Sequence, residues 1–285
     1  MPMLSVLERL VPQRSGNIPL LLVIGPPRSG TTLIYQYISS CYNAAYISNL
    51  ASVFPYFPGL ISFVQGVFSR AERVSRFDSN FGLVRGFQGP SEAGLVMSVW
   101  FDKGMDTENI SRSIRRISKE EDGLFVTKNV WNAFRISEIS KLDMDVHVLL
   151  LRRDVYTNAA SILSAESKGV SIVPKLAQAL GKKPSGTFNS ILHYLVDYYE
   201  QLDNELKIHG INASIVQYED FCKSPKEVLE SSLSSALSEK VVRNEDVIRD
   251  LTFEVNLMDE QEKIEKQASL DPELISRIEP YEYSL

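Results

Sequence analysis

The stretch Ile18-Pro19-Leu20-Leu21-Leu22-Val23-Ile24-Gly25-Pro26-Pro27-Arg28-Ser29-Gly30-Thr31-Thr32-Leu33-Ile34 decides the reading of the whole chain. Leu20 to Ile24 is an unbroken apolar run rich in branched residues, the pattern of a strand buried on both faces. Gly25, two prolines, Arg28, Ser29 and Gly30 break it and force a tight turn. From Thr31 to Ile38 the spacing predicts a helix with Leu33, Ile34, Tyr37 and Ile38 on one face. A strand, a glycine-bearing loop and a helix start gather backbone N–H groups at the positive end of a helix dipole. Such a nest binds phosphate.

The spacing resembles the P-loop, G-x-x-x-x-G-K-[ST], with Gly25 and Gly30 as its glycines. Thr31 stands where the P-loop has its lysine, the residue that reaches the β- and γ-phosphates of a nucleoside triphosphate. That departure argues against ATP or GTP hydrolysis. The cation of this loop is Arg28, three residues earlier. Read as a whole, Pro27-Arg28-Ser29-Gly30-Thr31-Thr32 resembles the 5′-phosphosulfate loop of sulfotransferases that use 3′-phosphoadenosine 5′-phosphosulfate (PAPS), in a soluble, bacterial-type form. The resemblance implies a P-loop NTPase-like sulfotransferase fold. The alternation of strand and helix segments independently predicts an α/β protein, three layers with a central parallel sheet.

A second motif follows the apolar run Val146 to Leu151, itself a predicted buried strand. It reads Arg152-Arg153-Asp154-Val155-Tyr156-Thr157-Asn158-Ala159-Ala160-Ser161. Asp154 is a good N-cap. An arginine at a strand end and a serine two helical turns later can grip one phosphate from two sides, fork plus hydroxyl. The pattern resembles the family's 3′-phosphate motif, R-D-x-x-x-x-x-x-S, with Val155 in place of the usual proline. Arg153 and Ser161 are the assigned pair, rather than Arg152.

Between these motifs, Gly123 to Asn129 predicts a short buried strand ending in Lys128-Asn129. Strand ends in an open α/β sheet face the ligand crevice, so Lys128 either meets a charged group there or is a plain exposed strand end. In the family, a lysine here contacts the transferring sulfuryl group. A histidine or proline often stands two residues on, and here that residue is Val130. The histidine base of the cytosolic animal enzymes is therefore missing. Glu92 is the alternative. A helix opening at Pro90 or Ser91, with Leu95, Val96, Val99 and Trp100 on its apolar face, would place Glu92 in its first turn. Glu92 is then either helix-start electrostatics or the base that takes a hydroxyl proton.

The 285 residues suffice for one large α/β domain. A net charge of −6 excludes a general field for nucleic acid. Cys41 and Cys222 read as two buried free thiols, and no metal-ligand spacing is present. The first residues lack a secretory signal, and no apolar run spans a bilayer, which reads as a cytoplasmic protein. Residues 1–17 form an amphipathic lead carrying Leu4, Leu7, Leu10 and Val11. Residues 41–90 show no sustained period and form either an acceptor pocket or a packed excursion. Residues 104–122 read as a solvated helix and turn, and 132–141 as a helix returning to the sheet.

His147 lies inside its strand and reads as a core histidine. Residues 165–187, with Lys182 and Lys183 at a basic tip, are a surface loop or a flap over cofactor or acceptor. Phe188 to Lys207 predicts a long amphipathic helix, on which His193 and Tyr194 face either the acceptor or the core. Ile211 to Gln217 reads as a third core strand. Tyr218-Glu219-Asp220-Phe221 with Pro225 resembles a family segment and reads as a structural marker, aromatic packing plus carboxylates that orient the phosphate-binding arginines. Helices are expected from there to the end. The glycine-rich basic loop that covers the cofactor in the cytosolic animal enzymes is not found.

Together these readings predict transfer of a sulfuryl group from PAPS to a hydroxyl on a small metabolite, glycan or lipid, releasing 3′-phosphoadenosine 5′-phosphate (PAP), with no metal. Arg28, Ser29, Gly30, Thr31 and Thr32 would hold the 5′-phosphosulfate. Arg153 and Ser161 would hold the 3′-phosphate. Arg28 and Lys128 would neutralise developing charge, and Glu92 would be the base. A P-loop small-molecule kinase and an inactive nucleotide-binding relative are the alternatives. A homo-oligomer is compatible with the sequence.

Overall fold

The computed structural model describes residues 10–68, 79–80, 83–84, 86–234 and 252–283. Leu4 and Leu7 of the lead, residues 69–78 of the 41–90 segment and residues 235–251 lie outside them. Five strands, β1 (Leu20–Ile24), β2 (Ala44–Ala45), β5 (Leu124–Lys128), β6 (Val146–Arg152) and β7 (Asn212–Gln217), form a parallel sheet in the order β2-β5-β1-β6-β7. A small antiparallel pair, β3 (Ser79–Asn80) and β4 (Leu83–Val84), stands apart.

The central strand explains the layering. Every residue of β1 is buried, and successive side chains point to opposite faces. Leu20, Leu22 and Ile24 join Phe125, Val148 and Leu150 in one core. That core includes helices α2 (Val155–Ser167), α3 (Val173–Ala179) and α4 (Phe188–His209). Leu21 and Val23 join Leu124, Val126, Leu149 and Leu151 in the other. There they meet α1 (Thr31–Cys41) and α5 (Tyr218–Lys223). With both faces covered, the sheet is the middle of three layers, as the sequence predicts. The chain goes from β1 toward the β2 side and later crosses to the β6 side. The carboxyl ends of β1, β5 and β6 therefore border a topological switch point, where open α/β sheets bind ligands.

Several expectations need correction. No helix opens at Pro90 or Ser91. Pro90 bridges Ser48 and the Ser91 N–H donates to the Ile47 carbonyl at 2.9 Å, which holds this stretch extended. The helix is Gly94–Met97, continued by a π-helical turn at Ser98–Asp102. Glu92 therefore lies before it, and Leu95 faces solvent while Val96, Val99 and Trp100 are buried. The helix Thr107–Ile117 is not simply solvated, since Ile110, Ile114 and Ile117 pack into the core. The stretch after β5 is a 3-10 helix, Val130–Phe134, then a short α-helix, Ile136–Ile139.

Strand β7 is a sheet edge, with Ile215 exposed and Val216 buried. Residues 252–259 are not helical but form a strap without regular secondary structure. Phe253 of the strap stacks on Phe221 at 5.9 Å, and the Phe253 N–H donates to the Cys222 carbonyl at 2.8 Å. Cys41 and Cys222 are buried and unbridged, and His147 is buried with Nε2 3.0 Å from Ser214 Oγ. Among the described residues, no helix is long and apolar enough to cross a membrane.

Candidate active site

The loop between β1 and α1 is built by two left-handed residues. Arg28 has φ 67° and Gly30 has φ 96°. Left-handed backbone turns successive N–H groups to one side. Those of Gly30, Thr31 and Thr32 meet no acceptor among the described residues. Ser29 is fully buried, and its Oγ also has no partner among them. Gly30 is required twice: by its φ, and because a Cβ there would lie 2.2 Å from the Tyr218 ring. Asn158, fully buried, donates from Nδ2 to the Pro27 carbonyl at 2.9 Å and ties the loop to α2.

The second motif closes on the first. Asp154 caps α2, its Oδ1 accepting from the Thr157 N–H at 2.8 Å. Arg153 donates from Nη1 to the Arg28 carbonyl at 2.8 Å, and Arg28 Nε donates to Ser161 Oγ at 3.2 Å. The Arg153 guanidinium lies 4.9 Å from the centre of the Tyr218 ring, and its Nη2 donates to the Asn256 carbonyl of the strap at 3.4 Å. Its Nε is buried with no partner among the described residues. Burial first, and then the neighbouring Arg153 charge, holds the Arg28 guanidinium below its usual value. Two crowded cations and an open N–H nest make a surface that an anion relieves.

Arg152 points elsewhere, pairing with Asp203 at 3.2 Å and lying over Tyr281. Glu219 does not grip an arginine by hydrogen bond. It is fully buried and accepts from the Asp154 N–H at 3.0 Å and from Gln217 Nε2 at 2.7 Å. Burial raises its carboxyl above the usual range. The Tyr218 ring, rather than a carboxylate, is what Arg153 rests on.

Lys128 is not an exposed strand end. Its side chain is 4% exposed, and Nζ donates to Thr32 Oγ1 at 3.1 Å and to Glu92 Oε1. Glu92 is one-third exposed toward the cleft. Its main chain is fixed by Asn129, whose Nδ2 donates to the Glu92 carbonyl at 3.1 Å, and by the left-handed Ala93 beside it. Asn129 and Tyr218 are the residues whose contribution the sequence reading underrates.

Several of these groups, though not Ser29 or Ser161, border one cleft of about 380 Å³. Arg28, Gly30, Thr31, Thr32, Glu92, Lys128, Arg153 and Tyr218 all line it. Val130, Trp131, Val170, Ile172 and Lys175 line the same cleft. From residues 165–187, Val170, Ser171, Ile172 and Lys175 border the cleft. From 41–90, Ser48, Gln65 and Gln88 border a second cleft of about 230 Å³ beside Lys119 and Asp122. Among the described residues, no group of three or more His, Cys, Asp or Glu is placed to hold a metal ion.

A family model described as "Sulfotransferase family" matches residues 19–235. Among solved structures, the chain is similar to the sulfotransferase domain of the olefin synthase of Synechococcus PCC 7002. The identity is 14% and the TM-score 0.50, over 96% of this chain and 98% of that one. It is also similar to sulfotransferase STF9 from Mycobacterium avium, at 13% identity and a TM-score of 0.49, over 77% of this chain and 64% of that one. The chain thus spans just under two thirds of the length of the mycobacterial protein. No curated protein sequence matches it.

Proposed function

The chain belongs to the sulfotransferase family, and from that premise we propose that it moves a sulfuryl group from PAPS to an acceptor hydroxyl, releasing PAP. The observation that carries the reading is the meeting of the open N–H nest with Arg153 and Ser161 through Arg28. A donor with phosphate groups at both 5′ and 3′ positions needs two such anion grips side by side. The unpartnered Ser29 Oγ and Arg153 Nε and the ring-cradled Gly30 fit that chemistry. When bound, PAPS supplies an activated sulfuryl group whose leaving group is a phosphate.

Each residue then has a role. The N–H groups of Gly30, Thr31 and Thr32 hold the 5′-phosphosulfate. Arg28 and Lys128 offset the negative charge that gathers on the bridging oxygen as the bond from sulfur to the 5′-phosphate breaks. Arg153 and Ser161 hold the 3′-phosphate. Glu92 takes the proton of the acceptor hydroxyl as its oxygen bonds to sulfur. For this, Lys128 turns from Glu92 toward the leaving oxygen, which also leaves the carboxylate free to accept. The strap at 252–259 already contacts Arg153 and serves as cover for the 3′-phosphate. The acceptor lies against Val130, Trp131 and residues 170–175.

The test is turnover of PAPS with a panel of phenols, sugars, hydroxylipids and hydroxy acids, with product identified by mass. PAP release coupled to a product heavier by one sulfuryl group is the expected result. Phosphorylation of any of these acceptors from ATP and magnesium, without sulfation, would replace the reading by a kinase.

A further inference from the structure

Resting on that sulfuryl-transfer reading, we infer that the acceptor is an amphipathic alcohol carrying an anionic group, carboxylate or phosphate, and that Lys175 holds that group. Three observations lead here. First, the cations of the cleft are already divided. Arg28 and Arg153 are joined to the phosphate loop, and Lys128 to Thr32 and Glu92. Lys175 borders the same cleft, is exposed, and has no hydrogen bond or ion pair among the described residues.

Second, its position is built rather than incidental. Glu166 turns its carboxylate onto the N–H groups of Ile172 and Val173, the latter at 2.6 Å. Val173, Leu176 and Ala177 bury the inner face of α3. The helix is held from inside, and Lys175 remains on the cleft side.

Third, of the four lysines in residues 165–187 (168, 175, 182 and 183) Lys175 is the one that borders the cleft, and the segment's one carboxylate, Glu166, is turned onto backbone N–H groups. Of these lysines, Lys182 is engaged by Asp197. The same cleft is also lined by the apolar side chains of Val130, Trp131, Val170 and Ile172. An alcohol that spans this cleft presents an apolar body to these residues, its hydroxyl to Glu92 and its charge to Lys175.

The inference is tested by calorimetry on the PAP-saturated protein with three matched probes: benzyl alcohol, 4-(hydroxymethyl)benzoate and 4-(hydroxymethyl)phenyl phosphate. At least one anionic probe is expected to bind about fivefold or more tightly than the neutral one, the size of an ion pair in a half-open site. Whichever anion binds better identifies the group. Lys175→Ala should remove the preference and Lys175→Arg should keep it, both with PAP affinity unchanged. Binding of the neutral probe as well as both anions, no binding of either anion, or a preference that survives Lys175→Ala overturns the inference. So does a parallel loss of PAP affinity in Lys175→Ala, which would give Lys175 to the donor instead. If the unmodified protein fails to bind PAP at all, the sulfuryl-transfer reading itself falls, a result separate from any of these.

Discussion

Replacing Gly30 by alanine probes the join between the loop after β1 and Arg153, the residue proposed to hold the 3′-phosphate. The new Cβ would stand 2.2 Å from Cε2 and 2.3 Å from Cδ2 of Tyr218, so the ring must move. At φ 96° the backbone is also unfavourable for any residue with a Cβ, by about 1–2 kcal/mol. Displacing a packed ring costs about 1–3 kcal/mol more. The sum, about 2–5 kcal/mol, lowers the melting midpoint by about 4–10 °C, taking about 2 °C per kcal/mol for a chain of this length. Arg153 rests on that ring at 4.9 Å. A displaced ring therefore weakens one charge-assisted contact to PAP, and affinity falls about tenfold or more. Melting curves and PAP calorimetry on Gly30→Ala, Tyr218→Leu and the double variant separate the terms. Removing the ring relieves the steric part, so the double variant should be more stable than the sum of the singles predicts, by about 1–3 kcal/mol. Strict additivity would refute the claim that Gly30 is required because Tyr218 packs on it.

Glu92→Gln should lower turnover about 100-fold or more while PAP affinity in calorimetry stays within about twofold. A comparable fall in PAP affinity would make Glu92 a binding residue instead. His147 is buried, which lowers its pKa. The unfolded chain then takes up a proton as pH falls below about 6.5 while the folded chain resists, so stability contributed at neutral pH is lost on acidification. Urea midpoints at pH 7.5 and 5.5 should show this loss, and His147→Asn should reduce it. An unchanged pH slope in that variant would contradict the assignment. Burial pushes the Cys41 thiol up to about 11 and raises that of Cys222. Neither should react with a thiol reagent at pH 8 until the chain is unfolded, and rapid labelling of the native protein would count against the packing described.

The scaffold of the site was legible because its signals are local. An apolar run, two glycines and a helix period are enough to place β1, the loop and α1. The same holds for the strand that delivers Arg153 and for its N-cap, Asp154. What the sequence hid are contacts between distant segments. Glu92 was expected in a helix because the Ser48–Pro90 bridge that keeps Ser91 extended involves residues more than 40 positions apart. The π-helical turn at Ser98–Asp102 shifts the helical phase, so the face assigned to Leu95 was wrong. Tyr218 looked like a structural marker because nothing near it in sequence points to Gly30 or Arg153. The strap at 252–259 has no period, and only its contacts with Cys222 and Arg153 give it meaning.

The central claim is that this cleft reads a 3′-phosphate. Calorimetry of PAP and ADP, without magnesium, on the unmodified protein and on Arg153→Ala tests it most directly. The account predicts that PAP binds at least tenfold more tightly than ADP, and that Arg153→Ala removes most of that difference without changing the melting midpoint by more than a few degrees. ADP binding as tightly as PAP, or a PAP preference untouched by Arg153→Ala, would contradict it.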